Sequence, residues 1–234
     1  MQPGQLSILF EDNHLLAVVK PAGLPTMGTA AGKPTLLTLA KQYVKDRYQK
    51  PGNVYLGIMS RLDAPVTGVV LLARTSKAAA RLTEQFRSRS VEKTYWAIVE
   101  GILDPPVGTC SDWIGQDHRS KRMRIVEAEV PGAKQATLTY RRLSVLGKKD
   151  CLVEVELQTG RKHQIRLQLA ALDHAILGDF KYGSRRPFPA GIALHARRLV
   201  FKHPVKGDRI ELVAPIPAPW RAFGVDEEKL KAES

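Results

Sequence analysis

An α+β domain rich in antiparallel strand pairs is the fold class this sequence predicts, and three observations carry that reading. Short β-branched, apolar runs bounded by turn residues alternate with segments whose apolar residues recur at helical spacing. Turn signals at Asp12-Asn13 and Gly147-Lys148-Lys149 join neighbouring runs closely enough for hairpins. No internal repeat or long low-complexity linker divides the chain. Its 234 residues suit one domain, or two lobes sharing a core. We read a single domain over 1–234, with a core of about 6–216 and a charged tail of about 225–234.

Each element follows from its pattern. Residues 6–11 and 14–20 read as a strand pair split by Asp12-Asn13. Two prolines and a glycine make Lys20-Pro-Ala-Gly-Leu-Pro25 a rigid turn. Leu36, Leu37, Leu39, Ala40, Tyr43 and Val44 repeat at helical spacing and predict a helix over 34–48. Val69–Leu72 is a buried strand by its β-branched apolar content. Ser76 can cap a helix running to about Ser88, with Ala79, Leu82 and Phe86 inward. A strand follows over 94–100. Residues 136–145 and 151–157 form a hairpin, and 161–172 a helix with Ile165, Leu169 and Leu172 along one face. Late strands lie at 192–201 and 209–213, and the end DEEKLKAES is expected to fray.

Charge points to the partner. Thirty-six Lys and Arg against 23 Asp and Glu give a formal net charge of +13, and the isoelectric point is about 9.9. Such an excess favours polyphosphate or an anionic membrane surface. No apolar run is long enough to span a bilayer, and the N-terminus MQPGQLSILFED lacks a secretory signal pattern. Membrane binding therefore recedes and nucleic acid remains. Cys110 and Cys151 form no metal or redox spacing, which fits a reducing cytosol or an organelle matrix. His163, His174, His195 and His203 show no zinc-site spacing, and the glycine-rich phosphate loops and the serine-hydrolase elbow are absent. Neither metal nor nucleotide cofactor is expected.

The stretch GIMSRLDAPVTGVVLLART (57–75) is the most informative. Asp63 stands beside Arg61 on a link punctuated by Pro65, Thr67 and Gly68, immediately before the apolar strand. A charged group on a tight loop feeding rigid structure is well placed to be displayed for chemistry. Taken by itself, Asp63 also fits an ordinary turn residue with Arg61 as its solvated partner. Basic clusters recur at Arg81, Arg87, Arg89 and Lys93; at Arg119, Lys121, Arg122 and Arg124; and at Lys181, Arg185, Arg186, Arg197, Arg198 and Lys202. The run HRSKRMR (118–124) reads as a flexible basic loop that orders on RNA.

KPAGLP (20–25), SRLDAPVTGVVLLART (60–75), KTYWAIVEG (93–101), TGRKHQIRLQLAALDHAILGD (159–179) and LHARRLVFKHP (194–204) together resemble the ordered signatures of RluA-type pseudouridine synthases. The resemblance runs from about Ile8 to Ile216. It implies the pseudouridine synthase fold, a mixed, mainly antiparallel central sheet flanked by helices with an active-site cleft. The implied reaction isomerises selected uridines in tRNA or rRNA, breaking the N-glycosidic bond and rejoining the ribose to C5. By the same resemblance Asp63 is the catalytic aspartate, and Arg61 the arginine that enters the RNA stack vacated by the flipped base. Tyr95 is the tyrosine stacked on the uracil, Arg166 the arginine paired with the aspartate, and Leu194 an apolar contact to the base. Lys20 falls in a motif read as mainly structural. Beside the resemblance, Tyr95 and Leu194 alone fit ordinary inner-strand residues, and Arg166 on an apolar helix calls for a carboxylate partner.

Some positions depart from the family pattern. Ser60 and Met27 stand where histidine is common, and Ala64-Pro65-Val66-Thr67 replaces a more polar stretch, so RNA positioning or substrate choice is expected to differ. A stand-alone catalytic domain without the N-terminal RNA-binding module of some relatives is expected. The implied chemistry is redox-neutral and loses no group, so it needs an ionised carboxylate and no cofactor. A guanidinium beside Asp63 favours that ionised form, and flipping a stacked uridine costs a few kcal/mol. The alternative is a non-catalytic RNA-binding or RNA-folding protein on the same scaffold. A monomer in the cytoplasm, with no obligate protein partner, is expected.

Overall fold

The computed structural model describes residues 6–28, 33–117 and 122–232. In chain order its elements are β1 (Ser7–Glu11), β2 (Leu15–Lys20), α1 (Leu36–Arg47), β3 (Gly57–Ile58), β4 (Thr67–Ala73), α2 (Ser76–Arg87), β5 (Glu92–Glu100), β6 (Val107–Gln116), β7 (Met123–Val126), β8 (Lys134–Leu146), β9 (Asp150–Leu157), α3 (Gln164–Ala171), β10 (Leu194–Lys202), β11 (Arg209–Val213) and α4 (Glu227–Ala232). Strand pairing is mostly antiparallel, so the fold is α+β. Its contacts fall into two compact units: Met1–Glu92 with Ala196–Pro215, and Lys93–His195 with Ile216–Ser234.

In the first unit the strands lie in the order β1-β2-β4-β10, with β11 on β10 and β3 on β4. All seven residues of β4 are buried, as its apolar composition demands of a strand covered on both faces. Alternate residues Leu15 and Ala17 of β2 and Val69, Leu71 and Ala73 of β4 join Ala78 and Leu82 of α2, Phe201 and Leu212 in one apolar cluster. Thr35 caps α1 in a reciprocal box with Thr38. Thr75, one residue before the predicted Ser76, caps α2 by accepting the Ala78 N–H at 3.2 Å. Its hydroxyl stands where the chain is still extended, whereas Ser76 is already helical.

The β2–β4 ladder pairs Lys20 with Gly68, and both residues are constrained. Gly68 has φ +117°, and a Cβ there would lie 2.3 Å from the Ala196 carbonyl oxygen. Lys20 is wholly buried. Its Nζ donates to the carbonyls of Pro21 (2.7 Å), Leu24 (2.8 Å) and Ala64 (3.0 Å). Burial pushes the ammonium down to about 8, against the pull of the Asp63 charge.

The second unit orders its strands β5-β9-β8-β6-β7. The predicted hairpin is present as β8 and β9, joined across Gly147. Strand β6 lies where no element was expected, and β7 begins at the end of the basic run 118–124 read as irregular. The ten residues of β6, VGTCSDWIGQ, carry two glycines and little apolar alternation; the long neighbour β8 supplies the ladder that holds them extended. Helix α3 starts at Gln164 instead of Arg161 because His163 is left-handed, with φ 58°. The Gln164 Oε1 accepts from the Thr159 hydroxyl (2.8 Å) and the Arg161 N–H (3.0 Å), holding those residues in a turn. At the charged end, Glu227–Ala232 is a short helix where fraying was expected.

Gly68→Ala adds a forbidden contact to a strained backbone and should destabilise the chain by at least ~2 kcal/mol, measured by urea unfolding. Lys20→Met should cost ~1–3 kcal/mol at neutral pH by stranding buried carbonyls. The sign of the accompanying pH effect follows from a folded value near 8 against an ordinary 10.5. Between these values the unfolded chain holds more protons, so the contribution of Lys20 to stability rises with pH through that window. Unfolding at pH 7.5 and 9.5 should show the wild type gaining relative to Lys20→Met.

Candidate active site

Asp63 rides on a loop whose backbone is tied at several points within the first unit. Ser60 Oγ accepts the Leu71 N–H at 3.0 Å, and Met59 N–H reaches the Leu71 carbonyl at 3.0 Å, so the loop leaves β4 under constraint. Thr26 Oγ1 donates to the Leu62 carbonyl (2.8 Å) and accepts the Leu62 N–H (3.2 Å). The Ala64 carbonyl accepts from both Gly23 N–H (2.8 Å) and Lys20 Nζ. Val66 N–H closes a turn on the Asp63 carbonyl at 3.1 Å. Leu62 and Val66 are buried, Asp63 is half-buried and Arg61 is exposed. The chain thus clamps both neighbours of a carboxylate while leaving its side chain at the boundary with solvent, and Arg61 projects from the same turn. Such a carboxylate can serve as nucleophile or base. Ser60, which replaces the bulky ring expected from the family, uses its hydroxyl to anchor the loop.

Tyr95, Arg166 and Leu194 belong to the second unit. Tyr95 sits on β5 opposite Val155 of β9 and is half-buried, whereas its neighbour Trp96 lies in the core. Leu194 opens β10 and is buried. Arg166, only 6% exposed, makes a two-pronged ion pair with Asp179: Nε to Oδ2 at 2.6 Å and Nη2 to Oδ1 at 2.8 Å. Over the same guanidinium lies the Tyr182 ring, 4.9 Å from its centroid, and the Tyr182 hydroxyl meets His163 Nδ1 at 2.6 Å. The carboxylate that a buried arginine requires is therefore supplied at least in part by Asp179, a residue that sequence reasoning passed over. Its signal was present: an acidic residue inside the LGD block, thirteen positions after the arginine.

Asp179 is itself held by its turn. Gly178 N–H donates to Ser184 Oγ (3.0 Å), and Ser184 N–H donates to the Asp179 carbonyl (3.1 Å). Glu100 of β5 accepts from the Ser184 hydroxyl (2.7 Å) and from the N–H groups of Arg185 (2.9 Å) and Arg186 (3.1 Å). Burial alone would raise the Glu100 pKa; these hydrogen bonds more than offset it, and the carboxyl titrates below its ordinary value.

Of the expected basic RNA contacts, Arg119 and Lys121 lie outside the described residues. Arg122 and Arg124 are exposed, but Arg124 stands on β7 and pairs with Asp117 at 2.7 Å. Antiparallel pairing to β6 gives Met123 and Arg124 strand geometry, whereas residues 118–121 of the run read as a flexible loop lie outside the described residues. Among the described residues no group of three or more His, Cys, Asp or Glu side chains is placed to hold a metal, and no helix is long and apolar enough to cross a membrane.

Comparison with known proteins places the chain. Residues 14–171 match the sequence family described as RNA pseudouridylate synthase. The chain is 36% identical over 217 residues to an uncharacterized RNA pseudouridine synthase of Bacillus subtilis, spanning 92% of this chain and 70% of that protein. Over 231 residues it is 36% identical to ribosomal large subunit pseudouridine synthase D of Pseudomonas aeruginosa, spanning 91% and 69%. The solved structure of human RNA pseudouridylate synthase domain containing 4 superposes with a TM-score of 0.78 at 27% identity, covering 94% of each chain. That of human RNA pseudouridylate synthase domain containing 1 gives 0.72 at 26% identity, over 93% of this chain and 86% of that one. With the match covering more than half of its length and its relatives aligned over most of theirs, the chain belongs to the RNA pseudouridylate synthase family.

Proposed function

We propose that this member of the family isomerises selected uridines in RNA with Asp63 as its catalytic carboxylate. The observation that supports this most directly is the Asp63 loop: its backbone is pinned on both sides of a half-buried carboxylate by Lys20, Thr26 and Ser60. A group held this way loses little freedom on meeting substrate, which lowers the cost of reaching a reactive geometry. In the proposed reaction the N1–C1′ bond of the uridine breaks and a C5–C1′ bond forms. The hydrogen on C5 is lost and N1 gains one, so the product is an isomer. Arg166 keeps Asp63 ionised, Tyr95 offers its ring face to the extruded uracil and Leu194 lines the base pocket. Arg61 fills the gap in the RNA stack. Arg122 and Arg124, with Arg119 and Lys121, contact phosphates.

We propose ribosomal RNA as the substrate, the molecule named for the Pseudomonas relative, with transfer RNA as the alternative. Pseudouridine mapping of both, in cells with and without the gene, tests the proposal: sites that vanish on deletion and return only with the wild-type gene name the substrate. No change in either RNA counts against it.

Asp63→Asn should reduce isomerisation by ~100–10,000-fold, the usual worth of a positioned acid–base or nucleophilic group. RNA affinity should stay near the wild-type value in filter binding, and full activity in this variant sinks the assignment. Arg61→Ala should slow base extrusion, followed by the fluorescence of a 2-aminopurine next to the target, more than it weakens association. An equal loss in both measurements would remove Arg61 from that role.

A further inference from the structure

Beyond the residues proposed for catalysis, the second unit carries a depression of about 460 Å³ among β7, α3 and the 3₁₀ turn Phe180–Tyr182. Its lining has two chemistries. Met123, Ile125, Leu167, Ala170, Ala171 and the Tyr182 ring form an apolar floor, and Arg122, Arg124 and Lys181 supply cations. Leu167, Met123 and Tyr182 also belong to a small apolar cluster with Ile114 and Ala136, so the floor is backed by packed side chains. Among the described residues no acidic side chain lines the depression. Arg124 is already paired with Asp117, while Lys181 lies 5.8 Å from the Tyr182 ring centroid. The volume lies within the roughly 300–1,000 Å³ of sites that enclose a small ligand.

We infer that this depression is a second nucleotide subsite, taking one unpaired nucleotide of the RNA whose uridine is isomerised elsewhere on the chain. A flat apolar face flanked by negative charge is the chemistry that the floor and the cations recognise together. An unstacked nucleotide has both, with its base against the apolar floor and its phosphates against Lys181 and Arg122. Tyr182 joins this subsite to the chemistry, because the ring that lines the depression also covers the guanidinium of Arg166. The nucleotide bound here therefore helps to decide which RNA places its uridine productively. This inference rests on the proposed function for the identity of the RNA, while the depression itself lies wholly within one unit.

The test uses the full chain and a short single-stranded oligouridylate carrying one 4-thiouridine. Ala171→Trp, at an exposed position ending α3, fills the depression and should weaken binding about tenfold, the scale of one lost base contact. Lys181→Ala should lower the slope of log affinity against log salt by roughly 0.7, as expected for one single-strand phosphate contact, and Lys181→Arg should restore it. Photocrosslinks should fall on peptides containing Met123, Ile125 or Tyr182. Unchanged affinity in Ala171→Trp, an unchanged salt slope in Lys181→Ala, or crosslinks confined to other segments overturns the subsite. So does equal competition by an acidic peptide of the same charge, which would make the surface a general anion site. Isomerase activity of the wild type is read in parallel. If it is present while the variants bind and select RNA normally, the subsite alone fails. If it is absent while the binding effects hold, the proposed function fails and the subsite stands.

Discussion

The rung that pairs Lys20 with Gly68 is the constraint on which the first unit depends. Gly68 lets the Ala196 backbone come closer to β4 than any side chain permits, and Lys20 sends its ammonium away from the ladder into three carbonyls. An apolar side chain could fill that volume but not bind those oxygens. A wholly buried ammonium carries a heavy desolvation penalty, which three short hydrogen bonds and a nearby carboxylate charge offset only in part. The arrangement makes the loop bearing Asp63 an extension of the sheet core. Thr26 and Ser60 then add ties from either side, so the carboxylate is presented by structure that has little room to rearrange.

The second unit uses the same strategy, with a carboxylate in place of backbone carbonyls as the acceptor. Arg166 is a buried cation on an apolar helix, and Asp179 answers it with both oxygens. A buried ion pair of this kind adds little net stability, but removing one partner leaves the other stranded, so geometry is what it contributes. The Tyr182 ring and the His163 contact to its hydroxyl fix the face of the guanidinium, and Glu100 fixes the turn that carries Asp179. Buried charge in both units thus orders backbone next to residues assigned to chemistry.

The sequence made the central features of both units legible where local pattern and tertiary packing agree. The unbroken apolar run of β4, the β8–β9 hairpin and the helical spacing of α1 were readable because each is the arrangement its own residues prefer. Strands β6 and β7 were not, since β6 is held extended by β8 and β7 in turn by β6. The left-handed His163 was also hidden: the Gln164 side chain that holds the turn ahead of it is itself anchored to the Thr137 carbonyl, 27 residues away in sequence. Pattern alone put Asp63 on a tight loop beside Arg61, but its role came from resemblance. Asp179 escaped because pairing at a distance of thirteen residues has no periodic signature.

Read from the sequence, the recurring cationic clusters point towards phosphate contacts. In the structure several are occupied by the fold. Arg197 is buried and donates to the Ala214 carbonyl, Arg198 is shared between Glu92 and Glu211, and Arg186 pairs with Asp150. Burial lowers the pKa of Arg198, but its hydrogen bond to Glu211 outweighs that and holds the proton more firmly. Such arginines stay charged and add to the long-range attraction for a polyanion, yet their donors are committed to the protein. Under the proposed function, exposed cations such as Arg122 and Lys181 make the local phosphate contacts. Under that proposal, attraction at a distance and recognition at contact are carried by different residues, and the net charge is not a count of phosphate contacts.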